Sequence, residues 1–364
     1  MSFLILSPSS CVRALSVNSI CTHCVDVCPT TAINIAGRLP SINQALCVGC
    51  AGCVAVCPTE ALKLDDFSAT DFFFSFISDE ENLVSCQKNV PCIAALSSEQ
   101  LISFTQMKQG VVLDTGHCGQ CDIGERIMTS IASTIDNSNY LLEAIESDFR
   151  VTCENIGFTN VSETDEKADR RDFFKNFHLR GIGKARNDFE KEIQRTTDEF
   201  IQYTTDSSDT KALRTKKITD RRKLFFTALK RFDIPSEFHV VESDKIIFTS
   251  QKLLDEELCT ACEMCHRICP TGALTSDMRN SKIDFDPFLC VKCHLCHDVC
   301  EPNAITLSTS YNLKEWYVPS VQNLATFAVR RCNECDGLFS SVAGEKICRR
   351  CRLEEEEARE LWGL

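Results

Sequence analysis

The sequence predicts an α+β chain of five segments, and two observations carry most of that reading. Cysteines crowd at two- and three-residue gaps near both ends, eight within residues 1–68 and eight within 246–312. Such gaps make compact, turn-rich units, because several thiols must converge on one point. Between these units, residues 69–155 alternate apolar runs with helix-like stretches, the pattern of a small α/β domain. Residues 156–245 are charged, sparse in Gly and Pro and free of cysteine, and read as a charged helical segment. Residues 313–364 hold four further cysteines and an acidic helical tail.

With 364 residues the chain is long enough for two or three domains with real cores. Hydrophobic content of 43% and charged content of 25% are ordinary, so the 25 cysteines are what sets it apart. A secreted chain could use them in disulfides. The apolar stretch Phe3 to Leu6 lacks the basic flank and length of a signal peptide, and no apolar run approaches the roughly 18 residues of a membrane span. The tight clustering also suits metal sites better than bridges spread over a core. A cytoplasmic chain with reduced or metal-bound thiols is therefore expected. Its net charge of -13 argues against nucleic acid, which needs a basic footprint, and against an anionic membrane surface.

The motif repeats four times, in two pairs. Cys47-x2-Cys50-x2-Cys53-x3-Cys57-Pro58 recurs as Cys259-x2-Cys262-x2-Cys265-x3-Cys269-Pro270. Beside them stand Cys290-x2-Cys293-x2-Cys296-x3-Cys300 and Cys21-x2-Cys24-x3-Cys28-Pro29, the latter with Cys11 ten positions earlier. A [4Fe–4S] cube needs four thiolates from different directions. Three at x2 spacing wrap one corner as a tight turn, and the fourth, after x3, points to a neighbouring cluster. Proline then ends the turn. The gaps Cys28–Cys47 and Cys269–Cys290, of eighteen and twenty residues, leave room for a short helix and a strand pair. Structural zinc usually takes cysteines in pairs, not runs of four.

These runs resemble the two-cluster bacterial ferredoxins, over about 130 of the 364 residues. The resemblance implies two 2×[4Fe–4S] ferredoxin-like units and four [4Fe–4S] clusters. It would put Cys11, Cys21, Cys24 and Cys57 on one cluster and Cys28, Cys47, Cys50 and Cys53 on the next. In the later unit it would put Cys259, Cys262, Cys265 and Cys300 on one and Cys269, Cys290, Cys293 and Cys296 on the other. The stretches Thr30–Ile33, Thr59–Leu62, Thr271–Leu274 and Asn303–Ile305 correspond to the turn and strand that follow the last ligand. Two departures stand out. Nine residues separate Cys11 from Cys21 instead of two, a loop insertion whose closure cost grows slowly with length; its alternative is a free thiol beside a [3Fe–4S] or labile cluster. After Cys300, Glu301 displaces the proline to Pro302. His266, His294 and His297 inside the runs read as surface turn residues, with proton-coupled electron uptake as the functional alternative.

In residues 69–155, Phe72–Ile77 reads as a strand, Leu83–Ser85 as a second, Ser97 or Ser98 as the cap of a helix through Met107, and Val111–Asp114 as a buried strand after Gly110. Cys86, Cys92, Cys118 and Cys121 fall at strand ends, where α/β sheets build sites. Val90-Pro91-Cys92 and Gly116-His117-Cys118-Gly119-Gln120-Cys121 resemble the delta iron–sulfur subunit of methyl-viologen-reducing hydrogenase, which implies an additional Fe–S cluster. A redox dithiol at Cys118 and Cys121, or inert thiols, are the alternatives. Cys153 reads as a core residue.

Cys332-x2-Cys335 and Cys348-x2-Cys351, twelve residues apart, read as a zinc ribbon holding Zn2+, with rubredoxin-like iron as the alternative. The acidic run Glu354 to Glu357 beside it favours a protein partner over nucleic acid. Leu361, Trp362 and Leu364 are candidates to dock on that partner, or to pack on their own domain. Arg170–Lys175 looks like a twin-arginine signal but is internal with no apolar run behind it; like Arg221–Phe226, it reads as the start of an amphipathic helix with packed aromatics and solvated basic residues.

No GxGxxG follows a strand, and no Walker motif or GxSxG elbow is present. Electron transfer is the expected function, with substrate chemistry left to a metalloenzyme partner such as a formate dehydrogenase- or hydrogenase-like oxidoreductase. The acidic surface suits a basic patch on that redox partner, and equally serves solubility. An accessory or maturation factor and a redox sensor are the alternatives.

Overall fold

The computed structural model describes residues 2–156, 191, 192, 195 and 216–363. In the N-terminal unit, β1 (Leu4–Leu6) pairs antiparallel with β2 (Leu62–Leu64). The two-residue side-chain period turns Leu4, Leu62 and Leu64 inward and leaves Ile5 in solvent. Between the two cysteine runs, Ile33–Asn34 pairs with Ser41–Ile42.

The middle of the chain is a three-stranded parallel sheet with helices. Its elements are α1 (Ala69–Ser78), β3 (Leu83–Val84), α2 (Ser98–Lys108), β4 (Val111–Asp114), α3 (Gly124–Ala144) and β5 (Val151–Glu154), with strand order β3-β4-β5. The expected strand at Phe72–Ile77 is instead the helix α1. The Ser68 hydroxyl caps it by accepting from the Asp71 N–H at 3.2 Å. Phe72, Phe73 and Phe76 then pack around Phe104 of α2, with ring centroids 5.2–5.6 Å apart. A four-phenylalanine run has no period of its own, so tertiary packing decides its form. The α2 helix opens where expected, on a capping box between Ser97 and Gln100.

Helix α4 (Asp220–Lys230) joins the parts. The Glu60 carboxylate accepts from the backbone N–H groups of Asp220 and Arg221 at 2.8 and 3.0 Å, satisfying the helix start from the N-terminal unit. Arg221 donates to the carbonyls of Ala55 and Cys57. Arg222 donates to Glu99 of α2 at 2.6 Å and to the carbonyls of Phe248 and Phe288. Both arginines, expected in solvent, are buried, because each guanidinium finds an anion or carbonyls in the interior. The Arg170–Lys175 expectation lies outside the described residues.

The later cysteine unit repeats the first one's strand plan. Strand β6 (Lys252–Leu254) precedes the first run, β7 (Leu274–Thr275) and β8 (Lys282–Phe285) pair between the runs, and β9 (Ile305–Leu307) pairs antiparallel with β6. Strand β8 also pairs with β10 (Gln322–Thr326). Beyond it lie the hairpin β11 (Ala328–Arg331) and β12 (Leu338–Ser341) and the helix α5 (Arg349–Trp362), no residue of which is buried. One apolar core runs from Phe72 to Phe327, through the α/β layer, α4 and the later unit, while a smaller one fills the N-terminal unit. Among the described residues no helix is long and apolar enough to cross a membrane.

Candidate metal centres

The four runs share one local geometry. In each, the third cysteine sits in the first turn of a short helix: Cys24 in His23–Asp26, Cys53 in Gly52–Val56, Cys265 in Met264–Ile268 and Cys296 in Leu295–Asp298. All four thiols are buried. Around the middle cysteine of three runs the backbone is left-handed. Gly49 and Ala51 flank Cys50 at φ 67° and 58°, Ala261 and Glu263 flank Cys262 at 49° and 66°, and Lys292 and His294 flank Cys293 at 49° and 59°. Each non-glycine residue there costs on the order of 1–2 kcal/mol, a strain that persists only where the surroundings over-determine it. The reversals turn three thiols to one side. The first run lacks them: Thr22, after Cys21, has φ -128°, and Cys11 stands just ahead of the one-turn helix Val12–Leu15.

The fourth cysteine of each run is treated alike. Three residues on, Thr31, Glu60, Gly272 and Asn303 take φ of 54°, 52°, 78° and 54°. That turn aims a backbone N–H at the sulfur. Ala32, Ala61 and Ala304 donate to the Sγ of Cys28, Cys57 and Cys300 at 3.2 Å each, and Leu274 donates to Cys269 at 3.5 Å. The strand that follows each turn begins at Ile33, Leu62, Leu274 and Ile305, in the stretches expected.

The thiols of each unit lie near one another. Cys24 has Cys57, Cys21 and Cys11 as electrostatic neighbours, and Cys50 has Cys28 and Cys47. Cys53 stands with Cys50, Cys47 and Cys28, and also reaches Cys24. Cys259 has Cys262 and Cys300; Cys293 has Cys269, Cys290 and Cys296; Cys265 reaches across to Cys296. In each unit the thiols of one run thus have thiols of the other run as neighbours. Burial, then the like charges of neighbouring thiolates, pushes Cys24 up to about 12; burial raises Cys296 to about 12 and lifts Cys53, Cys265 and Cys293 as well. Cys24, Cys53, Cys265, Cys293 and Cys296 so buried resist ionisation by themselves, whereas a coordinating metal deprotonates a thiol outright. The donor set therefore fits iron–sulfur clusters. So does the apolar cavity that Cys28, Cys47, Cys50 and Cys53 line with Leu4, Ile33 and Leu64.

The middle cysteines also meet. Cys86 follows β3, Cys118 and Cys121 bracket a short turn after β4, and Cys92 leads into Ile93–Ala95. Cys92, pushed up to about 12 by burial, has Cys50, Cys86 and Cys118 as neighbours, and Cys118 has Cys86 and Cys121. Two features of this site escaped the sequence reading. The buried Asp114 accepts from Ser85 Oγ at 2.8 Å and from the N–H groups of Gly116 and Ile156 at 3.0 and 3.2 Å, shaping the loop that carries Cys118. Gly124 leaves no room for a side chain, since a Cβ there would stand 1.9 Å from the Cys118 carbonyl oxygen. An acid or a glycine in isolation gives no local signal of such long-range roles. Cys153, expected in the core, is exposed on β5, where its side chain points off the sheet. His266, expected on the surface, is buried, and His294 and His297 are half-buried; burial and the Lys252 ammonium, 2.8 Å from His297 Nε2, hold His297 well below its usual range.

At the C-terminal end, the sulfurs of Cys332, Cys335, Cys348 and Cys351 lie within 4.8 Å of one another. Cys335 Sγ is 3.8 Å from Cys348 Sγ, which matches the edge of about 3.8 Å that a Zn–S bond near 2.3 Å gives a tetrahedron. Backbone N–H groups from Cys335 and then Cys348 lower the Cys332 thiol to about 6. This knuckle leans on the later unit through Arg349, 2.8 Å from the carboxylate of Glu301 beside Cys300.

Two family signatures match. One described as an LdpA Fe-S cluster-binding domain covers residues 18–68, beginning after Cys11, and one described as a 4Fe-4S dicluster domain covers 251–301. No curated protein matches, and no solved structure matches. The matches define an iron–sulfur-binding protein with ferredoxin-like parts, and iron–sulfur binding of this kind supports an electron-transfer role.

Proposed function

We propose that the chain is an electron carrier with four [4Fe–4S] clusters, in two ferredoxin-like units, held by the four groups of cysteines first grouped by resemblance. The reading adds a further iron–sulfur centre on Cys86, Cys92, Cys118 and Cys121, and Zn2+ on Cys332, Cys335, Cys348 and Cys351. The carrying observation is the fourfold repeat of one ligand turn, a left-handed residue three places after the last cysteine and an N–H aimed at its sulfur. When bound, each cluster supplies a one-electron couple. The chain's own residues tune it. The N–H groups of Ala32, Ala61, Leu274 and Ala304 favour the more negative, reduced state, while apolar side chains such as Leu4 and Leu64 exclude water.

The partner is a cytoplasmic oxidoreductase subunit of the formate dehydrogenase or hydrogenase kind, which performs the substrate chemistry. A second reading, as an accessory factor in metalloenzyme maturation, draws on the solvent-exposed α5 with Leu361 and Trp362 uncovered. Anaerobic co-purification followed by stopped-flow mixing separates them. Pre-reduced protein that oxidises as fast as the captured enzyme turns over supports the carrier. An enzyme that needs this chain only during its assembly overturns it in favour of the second reading.

A further inference from the structure

We infer that the two cysteine units and the middle thiol site form a single electron path, ordered as the Cys92 site, the Cys50 site, the Cys24 site, the Cys293 site and the Cys259 site. This rests on the proposed clusters and goes beyond them: the chain conducts from its α/β layer to its C-terminal knuckle and is not two carriers on one chain.

Each junction has its own contacts. Between the Cys92 and Cys50 sites, Arg126 of α3 donates to the Pro29 carbonyl at 2.7 Å, and a Cβ on Gly52 would stand 3.7 Å from the Ala94 Cβ. Ala95 lies in the same apolar cluster as Cys53. Within the N-terminal unit, Cys53 reaches Cys24, and within the later unit, Cys265 reaches Cys296. The junction between units is a separate apolar seam of Val12, Leu295 and Val299, against which Cys21 packs from one side and Cys293 from the other. The Ile20 N–H donates to Asp298 at 3.2 Å across that seam.

Helix α4 fixes the spacing. Arg221 holds the carbonyl of Cys57, which belongs to the Cys24 site, while Arg222 holds those of Phe248 and Phe288 in the later unit. Tunnelling falls off exponentially with distance, so a rigid spacer between the sites sets the rate. At the far end, the Arg349–Glu301 pair seats the knuckle beside Cys300 of the Cys259 site.

Paramagnetic coupling tests the order. Dithionite is the one-electron donor, delivering one electron to each cluster, and iron and sulfide analysis first establishes that clusters are present; their absence would defeat the cluster reading itself. With clusters present, the fully reduced wild-type chain is expected to give broadened, fast-relaxing EPR signals from a network that spans both units. Two independent coupled pairs would overturn the path. Replacing Cys24 (C24S) should slow relaxation several-fold in both the Cys50 and the Cys293 sites, whereas C265S should leave the Cys50 site unchanged. Uncoupling of the N-terminal unit by C265S and not by C24S would overturn the order.

Discussion

Gly124 and Asp286 show how single residues shape the backbone next to the cysteines. A Cβ on Gly124 would collide with the Cys118 carbonyl, which is backbone and cannot swing aside. The G124A variant is therefore expected to shift the Cys118–Cys121 turn, and alkylation of those thiols in the native protein should quicken several-fold; an unchanged rate would contradict the assignment. Asp286 is buried, accepts from the N–H groups of Phe288 and Leu289 at 2.9 and 3.4 Å through one oxygen, and has no partner on the other. Burial raises it from 3.8 to about 7. The folded chain thus binds a proton there that the unfolded chain has lost. Stability is highest at low pH, falls as pH rises from about 4 to about 7, and is flat above, a span on the order of 4 kcal/mol for this one group. D286N keeps the acceptor and removes the titration. Its urea midpoint should change less between pH 5.5 and pH 7.5 than that of the wild type, and an identical slope would contradict the account.

At the scale of elements, the buried pairing of α2 with α4 decides how the parts are joined. Glu99 lies 2.6 Å from Arg222 Nε and 3.3 Å from Arg221 Nε, with all three side chains almost wholly out of water. Removing one partner leaves an uncompensated buried charge, so E99Q is expected to cost about 3–5 kcal/mol. A urea midpoint within error of the wild type would contradict this. The same elements mark where the sequence was legible and where it was not. Short-range signals were read correctly: the helix cap at Ser97 or Ser98, which is Ser97, the apolar strand Val111–Asp114 after Gly110, and the strand after each cysteine run. The run Phe72–Phe76 was not, because continuous apolarity fits a buried strand and a buried helix alike. Arg221 and Arg222 read as solvated because their guanidinium partners, Glu99 and the Ala55, Cys57, Phe248 and Phe288 carbonyls, lie far away in sequence. Asp114 was overlooked for the same reason.

For the whole molecule, the cysteine spacing marked the four runs in the chain, since the x2 and x3 gaps constrain backbone turns directly, while the grouping of their thiols came from the resemblance to the two-cluster ferredoxins. Their arrangement in space was not readable. It depends on α4, whose start is satisfied by Glu60 and whose Arg221 holds the Ala55 and Cys57 carbonyls of one unit while Arg222 grips the other. On the proposed reading, each group of four thiolates holds a cube of iron and sulfide. Iron and acid-labile sulfide determination on anaerobically purified, 57Fe-enriched protein, with Mössbauer spectra of the same sample, tests it most directly. The expected result is at least about sixteen irons and as many sulfides per chain, most of them in [4Fe–4S] spectra. A colourless sample without labile sulfide, its cysteine runs filled by zinc or joined in disulfides, would contradict it.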